Sequence, residues 1–347
     1  MTTSRRRGSF LPTALLSALP LLAAGFLAAS PAAADTARGS AATASRGIVA
    51  QAGDVTAAQR ARTLGYWTPA RRAAAVPLDG LRRVVGPGKR GVRGPLGLPS
   101  LRPEQRRPAR ADRTAVRRLA DTTGSTWTRG GRVARTVGKV YLTMGGRDYL
   151  CSATVVHSRN HDTVLTAGHC AKDGAGPWAG NWTFIPGYAD GDKPYGVYTA
   201  RRLFVSSQWA DNADDNYDVA AVALNTDEGR HVADVTGSHP ITFRASREVV
   251  SHAFGYPADA PFDGSRLTYC SGRTETDSTE GSRDHSLRCR MTAGSSGGPW
   301  FAGFDAGTGE GTIMSVISYK YADDPVTQYG PYLGNVAKSI YESASRA

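Results

Sequence analysis

The stretch Gly294-Ser295-Ser296-Gly297-Gly298-Pro299 narrows the fold of this 347-residue chain more than any other segment. Glycines surround Ser296, so this loop can adopt sharp backbone conformations and bring N–H groups close to a substrate carbonyl. Ser296 is therefore a candidate nucleophile, and the N–H groups of Gly294 and Ser296 are candidate donors to an oxyanion. An ordinary Gly/Ser turn has the same composition, so the decision depends on the rest of the chain.

Two earlier segments supply the other groups that acyl transfer at neutral pH requires. His169 lies in Thr166-Ala167-Gly168-His169-Cys170, directly after an apolar run and beside a cysteine, which is a suitable setting for a positioned base. Asp218 lies at the entry of the apolar run 219–224, where a carboxylate can be held against an imidazole. Other acids of that region are predicted to be surface residues or, alternatively, a calcium site: Asp211, Asp214 and Asp215.

The order of these residues separates two hydrolase folds. The loop around Ser296 also satisfies G-x-S-x-G, the nucleophile elbow of α/β-hydrolases, but that fold requires its histidine after the serine. The last histidine of this chain is His285, so the α/β-hydrolase interpretation is excluded. The order His169, Asp218, Ser296 is instead the chymotrypsin order.

The sequence pattern after residue 130 is typical of an all-β protein. Short runs rich in β-branched and aromatic residues alternate with Gly, Asp and Asn, which indicates many short strands in a sandwich or barrel. A helix is expected at the C-terminus, over 333–345. The runs that predict strands are 136–143, 149–156, 163–166, 219–224, 249–254 and 313–319.

With these motifs in place, residues 136–343 resemble the chymotrypsin-like serine peptidases. Several segments are more similar to the secreted bacterial, glutamyl-endopeptidase-like branch: 137–140, 151–156, 186–188 and 194–196. The resemblance implies two six-stranded antiparallel β-barrels with His169 as base, Asp218 as its orienting acid and Ser296 as nucleophile. It implies no metal and no organic cofactor.

The chain departs from the trypsin pattern around the nucleophile. Ser295 stands where animal trypsins carry the Asp that pairs with a newly cut N-terminus, so activation by that ion pair is not expected. Thr292 replaces the cysteine usually found four residues before the nucleophile. The substrate pocket is therefore framed differently.

Three further positions bear on which residue the enzyme would prefer before the scissile bond. An ungapped comparison places Arg290 at the trypsin pocket floor, and Ser318-Tyr319-Lys320 resembles the strand that lines the substrate channel. Arg290 and Lys320 together favour an acidic residue before the scissile bond. Against this, glutamyl enzymes use a histidine in that strand, and Ile317 stands there instead.

The N-terminus reads as an export signal over residues 1–34. Arg5-Arg6-Arg7 forms a positive region, an apolar stretch follows over 10–29, and Ala32-Ala33-Ala34 fits the cleavage rule. A membrane anchor is the alternative, which Pro12, Pro20 and the alanine-rich exit disfavour. We therefore expect a secreted protein without stable membrane association after signal cleavage.

Residues 35–129 are predicted to be a largely disordered pro-region, and 130–347 the peptidase domain. The net charge of +12 suggests a nucleic-acid partner, but 35–129 holds 19 basic and 6 acidic residues, against 20 and 24 in 130–347. The basicity thus belongs to the pro-region, which either masks the active site electrostatically or is a plain tether. Short helices are possible at Thr56–Leu64 and Asp112–Ala120, and processing at Arg129, Arg132 or Arg135.

Four cysteines in an oxidising compartment indicate two disulfides, for which sequence alone permits three pairings. We favour Cys151–Cys170 and Cys270–Cys289, because each closes a short loop around an expected hairpin. Zinc binding is the alternative, but the chain has no Cys-x-x-Cys spacing.

The function that these features predict is a secreted, monomeric serine endopeptidase that acts on proteins or peptides through an acyl-enzyme. It is expected to bind no nucleic acid. Two other hypotheses stay open on the same fold, namely a catalytically inactive binding protein and an esterase that uses the same three residues.

Overall fold

The computed structural model of the chain describes residues 47–78, 81–82 and 121–347. The predicted signal peptide and the possible helix Asp112–Ala120 lie outside these residues. All of these residues belong to one compact unit. Its N-terminal elements are, in chain order, β1 (Ile48–Ala52), α1 (Ala57–Tyr66), α2 (Pro69–Ala74), β2 (Val76–Pro77), β3 (Leu81–Arg82), β4 (Asp121–Thr126) and α3 (Gly131–Thr136).

A closed antiparallel barrel of six strands follows. Its strands are β5 (Val137–Met144), β6 (Arg147–Val155), β7 (Thr163–Thr166), β8 (Gly180–Pro186), β9 (Tyr198–Ser206) and β10 (Ala220–Leu224). They pair in the order β9-β10-β7-β6-β5-β8, and pairing of β8 with β9 closes the ring. Two short helices, α4 (Ser207–Asn212) and α5 (Val232–Thr236), lie in the connections.

The interior of this barrel is filled by large apolar side chains that are almost completely buried. Trp182, Phe184 and Trp209 are at most 2 % exposed, and they pack with Val140 and Leu142 of β5. Burial of this much apolar area is the main favourable term in folding. The barrel is thus a rigid support for the loops at its rim.

The C-terminal half consists of two five-stranded sheets and a final helix. Its elements are β11 (Val250–Gly255), β12 (Thr268–Arg273), β13 (Glu275–Thr276), β14 (His285–Arg288), β15 (Pro299–Asp305), β16 (Glu310–Val316), β17 (Tyr319–Tyr321), β18 (Asp324–Gly330) and α6 (Asn335–Ser345). One sheet has the order β16-β15-β11-β12-β4 and the other β13-β14-β18-β17-β3. The all-β, chymotrypsin-like class is confirmed, while the second predicted six-stranded barrel is divided between these sheets, each of which includes a strand from before residue 130.

Most strands predicted from periodicity are present within one or two residues. The run 313–319 is the exception, because it spans the end of β16, a break at Ile317–Ser318 and the start of β17. The sequence pattern did not predict β9, because Arg201 and Arg202 interrupt the apolar residues of this strand. The C-terminal helix begins at Asn335, two residues later than expected.

The N-terminal segment is more ordered over 47–78 than its composition predicts. β1 pairs with β9 over five residues, from Ile48↔Ser206 to Ala52↔Arg202, and so extends the first sheet. The expected helix at 56–64 is present as α1, capped by Thr56 through a capping box with Gln59. The segment lacks a core of its own but gains one by packing on the barrel, as Trp67 shows by being 2 % exposed.

Both predicted disulfides are formed. Cys151 of β6 is bonded to Cys170, and Cys270 of β12 to Cys289. The first bond joins a barrel strand to the loop that carries His169. Within the described ranges, no helix is long and apolar enough to cross a membrane.

Candidate active site

His169 is held in a fixed orientation at the end of a barrel strand. β7 ends at Thr166, and a single 3-10 turn over Gly168–Cys170 follows. The Cys170 disulfide anchors that turn, and the Trp182 indole N–H donates to the Cys170 carbonyl at 3.0 Å. Gly168 is required here, since a Cβ would lie 2.9 Å from Asp218 Oδ1 and 3.1 Å from the Trp209 ring.

Asp218 contacts both the backbone and the ring of His169. Its Oδ1 accepts from the His169 backbone N–H at 2.7 Å, and its Oδ2 lies 2.7 Å from His169 Nδ1. The Ser318 hydroxyl donates to the same Oδ2 at 2.5 Å. Because the carboxylate only accepts, Nδ1 carries the proton. His169 Nε2 is left with no hydrogen-bond partner among the described residues, as a base facing its substrate requires.

The Ser296 loop adopts the sharp turns expected from its glycines. Gly294 has φ +94° and Gly297 has φ +82°, values that favour glycine strongly. Gly297 also fits tightly against the histidine loop, because a Cβ there would lie 2.1 Å from Thr166 Oγ1 and 2.8 Å from the Ala167 nitrogen. The Ser296 carbonyl oxygen lies 3.7 Å from Cys170 Sγ. The nucleophile candidate is therefore beside the turn that carries His169.

The backbone N–H groups of this loop divide into two sets. Those of Ser295, Gly297 and Gly298 donate to carbonyls of Thr292, Ile317 and Ser295 respectively. Those of Gly294 and Ser296 have no acceptor within the part of the chain that the structure describes. Buried backbone donors are almost always paired, so two free ones side by side indicate a place for an oxyanion.

Ser152 of β6 joins the two halves of the molecule at this site. Its backbone N–H donates to the Ser296 carbonyl at 2.7 Å, and its hydroxyl donates to the Gly294 carbonyl at 2.9 Å. The same hydroxyl accepts from the Tyr256 N–H at 2.9 Å, while the Ser152 carbonyl accepts from Thr166 Oγ1 at 2.8 Å. In the sequence, Ser152 is marked only by its place beside Cys151 in the segment 151–156.

The Ser295 side chain is hydrogen-bonded to its own loop and to Gln328 of β18. Its hydroxyl donates to the Thr292 carbonyl at 2.7 Å and accepts from Gln328 Nε2 at 3.2 Å. Ser295 is 1 % exposed. This side chain thus uses neutral hydrogen bonds where animal trypsins, by the resemblance above, would use an ion pair.

Of the three predicted substrate residues, Arg290 lies near Lys320, and all three make different contacts. The Ser318 hydroxyl donates a hydrogen bond to Asp218 and so helps to hold that carboxylate in place. Lys320 Nζ donates to the carbonyls of Cys289 at 2.6 Å and Pro325 at 2.7 Å. Burial, and secondarily the nearby Arg290 charge, lowers the Lys320 pKa to about 8, with Asp324 opposing. Arg290 is exposed, and its backbone N–H donates to the Thr122 carbonyl at 2.9 Å.

One cluster of metal-ligand residue types occurs in the described ranges, namely Cys151, His169 and Cys170. The two cysteines are joined in a disulfide, whose sulfurs are not the thiolates that bind zinc. His169 Nδ1 is engaged with Asp218. The donor chemistry of this cluster therefore does not suit a metal ion.

A closed β-barrel that meets a second β half at a His-Asp pair and a glycine-rich serine loop is the architecture of a chymotrypsin-like serine peptidase. A family model described as Trypsin matches residues 128–332, and the chain belongs to that family. It is a serine endopeptidase, a hydrolase of peptide bonds in protein or peptide substrates.

Solved structures of bacterial proteases are similar to this chain. Protease Anisep from Arthrobacter nicotinovorans is 40 % identical, with a TM-score of 0.59, over 66 % of this chain and 99 % of its own. Thermostable serine protease AL20, from an extremophilic microorganism, is also 40 % identical with a TM-score of 0.59, over 62 % and 99 %. A Glu endopeptidase shares the fold at 19 % identity and a TM-score of 0.51, over 64 % and 96 %.

Among curated proteins, an extracellular metalloprotease of Bacillus subtilis (strain 168) is 31 % identical over 119 residues. That match covers 33 % of this chain and 35 % of the relative, so the chain spans about a third of its length.

Replacing Ser152 by Ala tests whether this side chain orients the oxyanion donors. The change leaves the Gly294 carbonyl and the Tyr256 N–H without their partner. The Gly294–Ser295 peptide plane then loses its fixed orientation, and this plane adjoins the two planes that carry the Gly294 and Ser296 N–H groups. We expect kcat for a peptide substrate to fall roughly ten- to hundredfold, because one oxyanion donor is worth about 3 kcal/mol. KM should change little, since the ground state does not use this site.

The matched control is Ser251→Ala in β11. Ser251 is equally buried, and its hydroxyl has no partner among the described residues. Unchanged kcat in Ser152→Ala, or an equal loss in both variants, would contradict a positioning role for Ser152.

Proposed function

We propose that the chain hydrolyses peptide bonds through His169, Asp218 and Ser296. Ser296 Oγ attacks the scissile carbonyl carbon while His169 Nε2 takes its proton. The N–H groups of Gly294 and Ser296 stabilise the negative oxygen of the tetrahedral intermediate. The protonated His169 then gives its proton to the leaving amine, and the acyl-enzyme remains.

Deacylation repeats these steps with water as the attacking group. His169 removes a proton from water, the ester bond to Ser296 Oγ breaks, and the proton returns to that oxygen. Asp218 holds the Nδ1–H tautomer throughout and stabilises the imidazolium as it forms. Ser318 supports this role because it adds a donor to the same carboxylate oxygen.

The main support for this proposal is the difference in hydrogen bonding between the two ring nitrogens of His169. Nδ1 is bound to Asp218 at 2.7 Å, and Nε2 is free among the described residues beside the Ser296 loop. Buried His239, by contrast, is hydrogen-bonded at both nitrogens, to the Gly311 carbonyl and to Thr136 Oγ1. This asymmetry is what a general base needs.

Active-site labelling tests the three roles. A fluorophosphonate probe is expected to label Ser296, and Ser296→Ala should abolish both labelling and peptide hydrolysis. Asp218→Asn should lower kcat about 10⁴-fold, because it favours the wrong imidazole tautomer. Labelling at another serine, or full activity of Ser296→Ala, would contradict the assignment. An unlabelled Ser296 in the processed protein would favour the inactive binding protein.

We further propose that the enzyme prefers an acidic residue before the scissile bond. Support comes from the exposed Arg290, from the proximity of Lys320 to it and from the carbonyls that fix the Lys320 ammonium. Lys320 lies in the strand that begins after Ser318, and Arg290 is close enough for its charge to act on Lys320. The Glu endopeptidase shares only the fold, and so adds nothing to this argument.

A peptide library cleaved at several pH values tests this preference. Glu and Asp should be favoured at neutral pH, and Arg290→Gln should reduce that preference roughly tenfold, by the loss of one charged contact. The Lys320 pKa of about 8 means that its charge is lost as pH rises through 8, so the preference should weaken between about pH 7 and 9. A clear preference for Lys, Phe or Ala would overturn the proposal.

We propose that the enzyme is made as a secreted precursor, with a signal peptide at 1–34 and a pro-region before the peptidase domain. The relatives include an extracellular protease, and both disulfides suit an oxidising compartment. Pairing of β4 with β12 supports a peptidase domain that begins nearer Asp121 than residue 130.

Mass spectrometry of the secreted protein determines where the mature chain begins and so tests these boundaries directly. We expect a mature chain that retains Asp121–Thr126, because its loss would leave β12 with an unpaired edge. A mature chain that starts after Arg129, Arg132 or Arg135 would show instead that β4 is dispensable.

A further inference from the structure

The segment made of residues 47–78 and 81–82, here called the N-terminal strap, has no role in the proposed chemistry. It is nevertheless firmly attached to the peptidase. β1 adds to the edge of β9 over five residue pairs, and the Asp54 carbonyl accepts from Asn225 Nδ2 at 2.8 Å. Trp67 packs against Tyr141, and its indole N–H donates to the Asn181 carbonyl at 2.6 Å.

Beyond these anchors, the strap reaches one wall of the active site. β2 pairs with β6 through Val76↔Tyr149 and Pro77↔Leu150, and the Leu78 N–H donates to the Leu150 carbonyl at 3.0 Å. Leu150 directly precedes Cys151 and Ser152. It also lies against the oxyanion loop, because a Cβ on Gly294 would be 2.8 Å from Leu150 Cδ1.

Three residues further on, the strap reaches the opposite wall. β3 pairs with β17 through Leu81↔Lys320 and Arg82↔Tyr321. β17 begins directly after Ser318, which contacts Asp218, and it contains Lys320 of the proposed substrate pocket. Three Cα steps join Leu78 to Leu81, a reach of at most about 11 Å.

The Ser296 loop lies between these two walls. Ser152 of β6 donates to the Ser296 carbonyl at 2.7 Å, and Gly297 donates to the carbonyl of Ile317, just before β17, also at 2.7 Å. The strap is therefore bound on both sides of the nucleophile candidate. A substrate needs the same backbone edges, since an extended peptide binds by adding a strand to a free edge.

The direction of the strap is opposite to that of a substrate. By the pocket proposed above, substrate residues before the scissile bond lie along the Arg290–Lys320 wall, so those after it leave toward Leu150. In the strap, the earlier residues 76–78 lie at Leu150 and the later residues 81–82 lie at β17. Both pairings are parallel, which agrees with a single direction across the site.

We propose that the N-terminal strap is a built-in inhibitor that occupies the substrate groove in the reverse direction. Reversal exchanges the positions of carbonyl and N–H along the backbone. A strap carbonyl at the site would direct its leaving amine away from His169, so the strap blocks substrates and resists cleavage. This inference rests on the proposed function and adds its regulation.

Leu78→Pro in the full-length chain tests the inhibition. Proline removes the N–H that bonds to Leu150, and the preceding Pro77 is already in an extended strand that tolerates it. With mass spectrometry confirming an uncut chain, Leu78→Pro should hydrolyse a peptide p-nitroanilide roughly tenfold faster than the unmodified chain. Leu78→Ala keeps the N–H and should give a clearly smaller increase.

A synthetic peptide of residues 74–82 tests the direction. Added to the Leu78→Pro chain, it should inhibit competitively and be recovered uncut, whereas a peptide bound in the substrate direction would be cleaved. Inhibition should also persist when salt rises from about 0.05 to 0.5 M, because backbone pairing is not screened as charge attraction is. Activation by salt would support electrostatic masking instead.

The possible failures are distinguishable. Equal turnover by the intact unmodified and Leu78→Pro chains, with Ser296 labelled by a fluorophosphonate in both, would overturn the strap as inhibitor and leave the proposed function standing. A processed chain, cut after the strap, whose Ser296 is not labelled would overturn the proposed function and this inference with it. Cleavage of the 74–82 peptide would overturn the reversed direction.

Discussion

The backbone hydrogen bond from Ser152 to the Ser296 carbonyl is the contact on which this site depends. It links a strand of the first barrel to the Ser296 loop of the second half, so the proposed base and the proposed nucleophile are positioned by one shared strand. The disulfide from the neighbouring Cys151 ties the histidine turn to the same strand. A network of this kind works as a unit, because each bond fixes the geometry of the next.

The glycines of the site follow from this close approach. Gly168 leaves room for Asp218 and Trp209, and Gly297 leaves room for Thr166, so both loops approach within distances that a side chain would prevent. Preorganisation of this sort is what electrostatic catalysis requires, since donors already in place cost no reorganisation during the reaction. The barrel core, with Trp182 and Trp209 fully enclosed, supplies the rigidity.

Motif order and strand periodicity predicted the family, the β class and both disulfide pairings. They could do so because catalysis restricts residue types over short spans, as in Thr166–Cys170 and Gly294–Pro299. Motif order and strand periodicity could not predict contacts between segments that are distant in the sequence. Ser152 is an ordinary strand residue until folding brings Gly294 and Tyr256 to it, and the order of residues 47–78 comes from the barrel surface rather than from their own composition.

The central claim is that Ser152 holds the Gly294 and Ser296 N–H groups ready for an oxyanion beside His169. A crystal structure of the enzyme with a peptidyl boronic acid tests it most directly. The account predicts boron on Ser296 Oγ, a boronate oxygen within about 3 Å of both N–H groups, and the Ser152–Gly294 hydrogen bond intact. A Gly294 N–H turned away from that oxygen, or boron bound to another residue, would contradict it.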